Sequence, residues 1–340
     1  MKVVFLTPNI GGPGTFYDIF ADFLRVAARQ LHVELEVVEG AKRRETMLER
    51  GRESLAAPTR PDYMLLVNYM GVGQELLPLN AAAGVGTFVV VEGFGSAELF
   101  TRGSGGGKGA SYLGQIIPDD VAAGRMLAET LTDSARRRGL VDGNGKVQVG
   151  AIAGEHSAAG NARFRGWQSV LKEHADVAQA GFEYGAWEEE SGKKVAAQML
   201  AAAPQIGVLW CANDSMALGA LAAAVEAGRR PGEDILIGGV DLLDRALVEV
   251  AGRRLEVSIG GHLVDGARAL ILLHDHHEKR DLTPQTLTTH LIAARAAQAN
   301  RFLAFMKDRA WRRIDFTRFS RLKNPGAPEL SLEAIVSRTG

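Results

Sequence analysis

Residues 208–221 read Val-Leu-Trp-Cys-Ala-Asn-Asp-Ser-Met-Ala-Leu-Gly-Ala-Leu, and this stretch decides the fold class. Residues 208–211 form an apolar run that is too short for a helix, so they predict a buried strand. The polar residues 213–215 then form a turn and offer a cap for a small-residue helix over 216–227. The stretch therefore predicts a strand, a polar turn and a helix in direct succession.

A second apolar run, residues 235–240, follows this helix and ends at Asp241. Strand, helix and returning strand make a βαβ unit, which builds parallel sheets. In an open parallel sheet, ligands bind outside the carboxyl ends of the strands. We therefore expect Asn213 and Asp241 to face one ligand site, with Asp214 capping the helix so that the side chain of Asn213 is left for the ligand.

Residues 212–221, together with Gly-Gly-Val-Asp at 238–241, resemble the ribose and galactose type of periplasmic binding proteins. They also resemble the effector domains of lac-type repressors and the autoinducer-2 receptors. The resemblance covers nearly the whole chain up to about residue 290. It implies the type I periplasmic-binding-protein fold, which has two doubly wound, parallel-sheet α/β lobes joined by a three-strand hinge.

The two lobes are expected to share the chain unevenly. Residues 1–117 plus 262–290 are predicted to form the N-terminal lobe, and residues 118–261 the C-terminal lobe. Residues 291–340 are rich in aromatic side chains, so we expect a C-terminal strand and a tail that packs on the lobes or the hinge. Apolar runs predict strands over 3–6, 33–38, 63–67, 87–91, 112–117, 147–152, 180–184, 208–211 and 235–240.

Composition indicates an ordinary globular chain. Of 340 residues, 46% are hydrophobic and 23% are charged, and the formal net charge is −1, which gives no bulk attraction to nucleic acid. The single cysteine, Cys211, cannot form an intramolecular disulfide. No secretory leader precedes the first strand. The resemblance therefore implies a periplasmic protein whose leader has been removed, with a cytoplasmic location as the alternative.

Arg163 stands in the pattern Arg, two residues, Gly and an aromatic residue, which the binding-protein family uses to reach its ligand. A guanidinium presents a rigid fork of donors that suits adjacent hydroxyls or a carboxylate. Asp241 can accept hydrogen bonds from two hydroxyls, and Asn213 can both donate and accept. Trp187 matches the family's aromatic residue that stacks on a sugar ring, although a buried core tryptophan is the alternative.

In the first lobe, the resemblance points to Phe16 and Tyr17, which follow the loop after the first strand and would cover the ligand. Asn68 and Glu92 follow predicted strands. Related sugar-binding proteins have an arginine after the acidic residue, whereas this chain has glycine there. His262 lies where the chain is expected to cross back between the lobes, and it either bonds the ligand or caps a helix.

Two sequence patterns that suggest other functions do not match the motifs that those functions require. The run Gly103–Gly109 lacks the glycine and the hydroxyl residue of a phosphate loop. His274–Glu278 has neither zinc-protease nor zinc-finger spacing, so a polar helix end is preferred to a metal site. No catalytic motif emerges. We therefore expect no enzyme activity, no cofactor and no metal.

The resemblance implies a solute-binding protein that captures a small polar ligand, such as a sugar or polyol, in the cleft between its lobes. The closed form would then be delivered to an ABC transporter. The alternative is a receptor component that presents its closed form to a sensory membrane protein. We expect a monomer that binds no nucleic acid. The candidate ligand-binding residues are Phe16, Tyr17, Asn68, Glu92, Arg163, Trp187, Asn213, Asp241 and His262.

Overall fold

The computed structural model describes residues 1–95, 111–282, 285–322 and 324–339. These residues divide into two compact units. The first unit comprises the described residues of Met1–Pro118, His262–Thr289 and Trp311–Arg338. The second comprises the described residues of Asp119–Gly261, His290–Ala310 and Thr339–Gly340. The glycine-rich run 103–109 lies outside the described residues.

Strands and helices alternate along most of the chain. The described strands are β1 Lys2–Thr7, β2 Glu34–Glu39, β3 Tyr63–Leu66, β4 Gly86–Val90, β5 Tyr112–Pro118, β6 Val147–Ala153, β7 Val177–Tyr184, β8 Val208–Cys211, β9 Leu236–Val240, β10 Val257–Gly260, β11 Thr286–Thr289 and β12 Ile292–Ala294. The described α-helices are α1 Phe16–Gln30, α2 Arg44–Ala56, α3 Gly73–Ala83, α4 Asp120–Arg137, α5 Ala158–Glu173, α6 Glu189–Ala202, α7 Asp214–Glu226, α8 Asp244–Ala251, α9 Asp265–His277, α10 Ala296–Lys307 and α11 Leu332–Thr339.

The sheet of the first unit is parallel throughout, with the strand order β11-β5-β4-β3-β1-β2. All four residues of β3 are buried. A strand covered on both faces carries a continuous apolar run rather than an alternating one, which explains why the sequence 63–66 is Tyr-Met-Leu-Leu. The strand order reverses direction at β1, so the crevice that suits a ligand lies outside the carboxyl ends of β1 and β3.

The sheet of the second unit follows the same plan, with the order β12-β10-β9-β8-β6-β7. All its pairs are parallel except the one between β10 and β12. The buried run over 208–211 forms β8, and its Trp210 donates a hydrogen bond from Nε1 to the carbonyl of Gly124 on α4 at 3.1 Å. The direction of strand addition changes at β6. The equivalent crevice therefore lies outside β6 and β8.

The predicted fold class is confirmed, with two doubly wound α/β units. The nine strands predicted from apolar runs are all present, and their ends differ from the predicted ones by at most three residues. The edge strand β11 and the helix α8 were not predicted. The residues of β11 are Thr-Leu-Thr-Thr, of which two are exposed and one is buried. They therefore lack the apolar run that indicates a buried strand.

The last fifty residues are divided between the two units. In the second unit, β12 pairs with β10, and α10 packs on α8 with Phe302 and Phe305 buried. In the first unit, Trp311 stacks on Phe23 of α1 with ring centroids 4.4 Å apart, and Trp311 Nε1 donates to Asp22 at 3.0 Å. The C-terminal residues therefore contribute to the cores of both units.

No helix in the described part of the chain has the length and apolar character needed to cross a bilayer.

Candidate ligand-binding site

A buried ionic cluster lies at the carboxyl ends of the second unit's strands. Arg163 on α5 donates from Nε to Oδ1 of Asp120 at 2.8 Å and from Nη1 to the carbonyl of Ala212 at 2.7 Å. Its Nη1 also lies 3.6 Å from Oδ1 of Asp241, and all three charged side chains are buried. No described residue accepts a hydrogen bond from Nη2. The guanidinium thus has one donor nitrogen left for a ligand.

The position of Arg163 depends on close contact between α4 and α5. Gly124 on α4 lies so near α5 that an added methyl group would collide with the backbone carbonyl of Arg163. Glycine at this position lets the two helices approach, and Arg163 on α5 then reaches Asp120 at the start of α4. The close helix contact therefore helps to position the guanidinium.

Asp241 follows β9 in a strained backbone conformation. Its φ is +132° and that of the next residue, Leu242, is +59°, a region that non-glycine residues rarely occupy. Such strain concentrates at functional sites, where the surrounding structure holds it in place. Burial raises the pKa of Asp241, and the neighbouring Arg163 opposes that rise.

Asn213, and not Asp214, caps α7. The Oδ1 of Asn213 accepts from the backbone N–H of Met216 at 2.9 Å, and its Nδ2 donates to the carbonyl of Trp187 at 3.1 Å. The prediction that Asp214 caps this helix is therefore wrong. Asp214 is instead fully buried, where its carboxylate accepts from the hydroxyl of Ser258 and the N–H of Leu243.

Asp214 is a second buried acid close to Asp241. Burial raises its pKa most, and the charge of Asp241 raises it further. Two carboxylates that share a low-dielectric site resist double ionisation, because each charge disfavours the other. Among the described residues of this unit, the guanidinium of Arg163 thus lies near three buried carboxylates, those of Asp120, Asp214 and Asp241.

Trp187 is half-buried and lies in a left-handed turn, with φ of +50° at Ala186 and +64° at Trp187. Its indole covers Gly154 so closely that a methyl group there would overlap the ring. The Arg163 guanidinium lies 5.5 Å from the ring centroid. This partly exposed ring argues against the alternative of a core tryptophan. The second unit therefore brings together Arg163, Trp187, Asn213 and Asp241, four of the predicted site residues.

Three further predicted residues meet in the first unit. Phe16 opens α1, and its ring stacks on the imidazole of His262 with centroids 4.7 Å apart. Tyr17 makes an edge contact with Phe16 at 5.2 Å. Phe16 and Tyr17 are half-buried, whereas His262 is almost fully buried. The aromatic pair is thus held in place by a histidine.

Asn68 and Glu92 join the ends of β3 and β4. The backbone N–H of Asn68 donates to the carbonyl of Glu92 at 3.0 Å, and Asn68 Nδ2 donates to the carbonyl of Gly93 at 3.2 Å. Its Oδ1 accepts from the N–H of Gly73 at the start of α3. The side chain of Asn68 therefore organises the loop. Glu92 is also buried.

Asp120 was not predicted as part of the site. The sequence offered one signal, an acidic pair at 119–120 directly after β5, but nothing linked it to an arginine 43 residues away. In the described part of the chain, no group of three or more His, Cys, Asp or Glu side chains is arranged to hold a metal ion.

Comparison with known proteins decides the family. A family model described as a periplasmic binding protein domain matches residues 82–260, which is more than half of the chain. The chain belongs to this family. Its fold is that of the type I periplasmic binding proteins.

A solved structure of a periplasmic sugar-binding protein from Pseudomonas fluorescens is 30% identical, covers 96% of this chain and 97% of its own, and superposes with a TM-score of 0.85. A galactofuranose-binding protein is 17% identical, covers 91% of this chain and 99% of its own, and has a TM-score of 0.77. At that identity the second likeness shows the fold alone.

Curated relatives match over shorter regions. The D-allose-binding periplasmic protein of Escherichia coli (strain K12) is 26% identical over 171 residues, which cover 50% of this chain and 52% of that protein. The repressor PurR of Pectobacterium carotovorum subsp. carotovorum (strain PC1) is 35% identical over 121 residues, which cover 33% of this chain and 35% of the repressor. The chain thus spans about a third to a half of the length of these relatives.

Proposed function

We propose that the protein binds a sugar or sugar-like molecule reversibly and without chemical change. The buried cluster of the second unit carries this proposal. Arg163 supplies donors and Asp241 supplies acceptors at a strand end, which is the pairing that neighbouring hydroxyl groups require. Trp187 offers a partly exposed ring for the apolar face of a sugar.

The first unit supplies further candidates. We propose Phe16 and Tyr17 as ring contacts, because both are half-buried and lie directly after the β1 loop. Glu92 and His262 are proposed as polar contacts near strand ends. We assign Asn68 an indirect role, because its polar side-chain atoms are bonded to the backbone around Gly93 and Gly73.

We further propose that the protein works in the periplasm and delivers its ligand to an ABC transporter. Family membership and the P. fluorescens sugar-binding protein support this step. A sensory role is the second candidate, and the glycine that replaces the expected arginine at position 93 favours it. Neighbouring genes for a permease and an ATPase would support transport. A neighbouring kinase or cyclase gene would support sensing.

The binding test is a thermal-shift screen of the purified protein against D-allose, L-arabinose, D-galactose and myo-inositol, with amino acids as a second panel. A ligand at one hundred times its Kd stabilises the native state by about 2.7 kcal/mol, which raises the midpoint measurably. We expect a sugar or polyol to do so. Protection by amino acids alone would contradict the proposal.

Variants then locate the site by titration calorimetry. Trp187→Ala removes only a partly exposed ring and is expected to weaken binding while the fold remains intact. Asp241→Ala should weaken binding by ~2–5 kcal/mol, since buried hydroxyl groups would lose their acceptor. Arg245→Met is the matched control, because Arg245 forms an exposed ion pair with Glu189 on the same unit. Equal affinities in all variants would remove these residues from the site.

A further inference from the structure

A strip of aromatic side chains runs along the edge strand β7 of the second unit. The rings of Phe164 and Phe182 lie 4.4 Å apart, those of Phe182 and Tyr184 lie 5.2 Å apart, and those of Tyr184 and His156 lie 4.1 Å apart. Phe182 and Tyr184 are two residues apart on the strand, so they point to the same face of the sheet. We call these four residues the aromatic strip.

The outer part of the aromatic strip is open to solvent. His156 is exposed, Tyr184 is 36% exposed, and Phe164 and Phe182 are half-buried. Neither the Tyr184 hydroxyl nor either ring nitrogen of His156 has a hydrogen-bond partner among the described residues. By contrast, Trp167 and Trp210 of this unit are fully buried. Contiguous exposed apolar surface of this kind often marks a binding site.

The aromatic strip adjoins the proposed sugar site. Tyr184 ends β7, and the turn that follows it presents Trp187. The indole of Trp187 lies on Gly154, and two residues later in the same loop His156 contacts Tyr184. The loop after β6 therefore contacts the Trp187 ring through Gly154 and the Tyr184 ring through His156.

We propose that the aromatic strip is a second ring-binding subsite, so that the ligand is a sugar carrying a second ring. This proposal rests on the proposed sugar-binding function. The first sugar ring occupies the Arg163–Asp241 cluster beside Trp187, and the second ring stacks on Tyr184 and His156. A tyrosine or histidine ring combines a stacking face with a polar edge, which suits a partner that has both an apolar face and hydroxyl groups.

Two kinds of ligand share this chemistry, and they are distinguished by probes. In a disaccharide the second ring carries hydroxyl groups, which the Tyr184 hydroxyl and the imidazole nitrogens of His156 can bond. In an aryl glycoside the second ring offers stacking alone. The probes are D-galactose and L-arabinose, their p-nitrophenyl glycosides, and the disaccharides galactobiose and arabinobiose.

Titration calorimetry on the full chain gives the ratio of the affinities for each two-ring probe and its parent sugar. We expect a ratio of at least tenfold for one two-ring probe, and we expect Tyr184→Ala and His156→Ala to bring this ratio close to one. The control is Glu183→Ala, because Glu183 is exposed on the opposite side of the same strand. This variant should keep the ratio of the unmodified protein.

A tenfold ratio for a disaccharide supports a saccharide ligand, and one for a p-nitrophenyl glycoside alone supports an aryl glycoside. The proposal is overturned if every two-ring probe binds no better than its parent, or if Tyr184→Ala leaves the ratio unchanged. Binding of parent sugars without any gain from the second ring would refute the subsite and leave the sugar-binding function standing. Binding of none of the probes would refute the subsite, and it would refute the sugar-binding function as well if no sugar or polyol stabilises the protein in the thermal-shift screen.

Discussion

Replacement of Arg163 by methionine tests whether the buried ionic cluster is organised as described. Arg163 Nε lies 2.8 Å from Asp120 and Nη1 lies 3.6 Å from Asp241. At an effective dielectric constant of 20, each contact corresponds to roughly 5 kcal/mol of gross Coulomb energy, most of which offsets desolvation. Removal of one partner from a buried pair leaves an uncompensated charge. The expected loss in the free energy of unfolding is about 3–5 kcal/mol at neutral pH.

The loss should depend on pH in a defined direction. Burial already raises the pKa of Asp241, and removal of the guanidinium raises it further. A carboxyl group with a raised native-state pKa holds its proton more tightly in the folded state. Its destabilising effect is therefore complete above that raised pKa and disappears below the ordinary carboxylate pKa of about 4. The difference between Arg163→Met and the unmodified protein should shrink as the pH falls from 8 to 5.

The assay is urea denaturation of the ligand-free protein, followed by circular dichroism at both pH values. A double variant, Arg163→Met with Asp120→Asn, should recover part of the loss because it also removes one of the buried negative charges that Arg163 offsets. The exposed pair of Arg245 and Glu189 provides the control, since Arg245→Met should cost less than about 1 kcal/mol. A loss below 1 kcal/mol for Arg163→Met, or a loss independent of pH, would refute the reasoning.

Three further predictions concern single contacts. Asn213→Ala removes the cap of α7 and the bond to the carbonyl of Trp187, so we expect a loss of about 1–2 kcal/mol in urea denaturation, and no loss would disprove the cap. In the same assay, Trp311→Ala should lower the free energy of unfolding by about 3–5 kcal/mol. Trp311→Phe should lower it much less, because a ring still stacks on Phe23. Equal losses for the two variants would argue against the stack. Burial raises the pKa of Asp265 to about 6. The folded protein therefore becomes less stable, relative to the Asp265→Asn variant, as this group loses its proton. We expect the difference in the free energy of unfolding to grow by up to about 3 kcal/mol between pH 4 and pH 7. Parallel pH profiles for the two proteins would show that Asp265 does not titrate in this way.

The sequence was most informative where strands are buried on both faces. The run over 208–211 could be read as a strand because it is apolar, short and followed by polar residues, and β8 has these bounds. The strand β11 carried no such signal, because it lies at a sheet edge and three of its four residues are threonines. The position of β11 is determined by its backbone pairing with β5, and such pairing cannot be predicted from the polarity of the side chains.

At the candidate site, the sequence predicted which residues take part better than it predicted which residues they contact. Asn213 and Asp214 are both good helix caps, so local chemistry could not decide between them. The choice depends on Ser258, 44 residues away, whose hydroxyl bonds the Asp214 carboxylate in the core. The pairing of Arg163 with Asp120 likewise depends on the contact between α4 and α5, which no spacing rule reveals.

The first unit is built from three separate segments of chain, and the last of them begins at Trp311. A nascent chain that has reached residue 118 has made β1 to β5, but neither β11 beside β5 nor Trp311 over Phe23 exists yet. The part of α1 around Phe23 therefore lacks its Trp311 cover until residue 311 has been synthesised. This unit can therefore complete its folding only after residue 311 has been synthesised, and until then the unfinished segment is a natural target for chaperones.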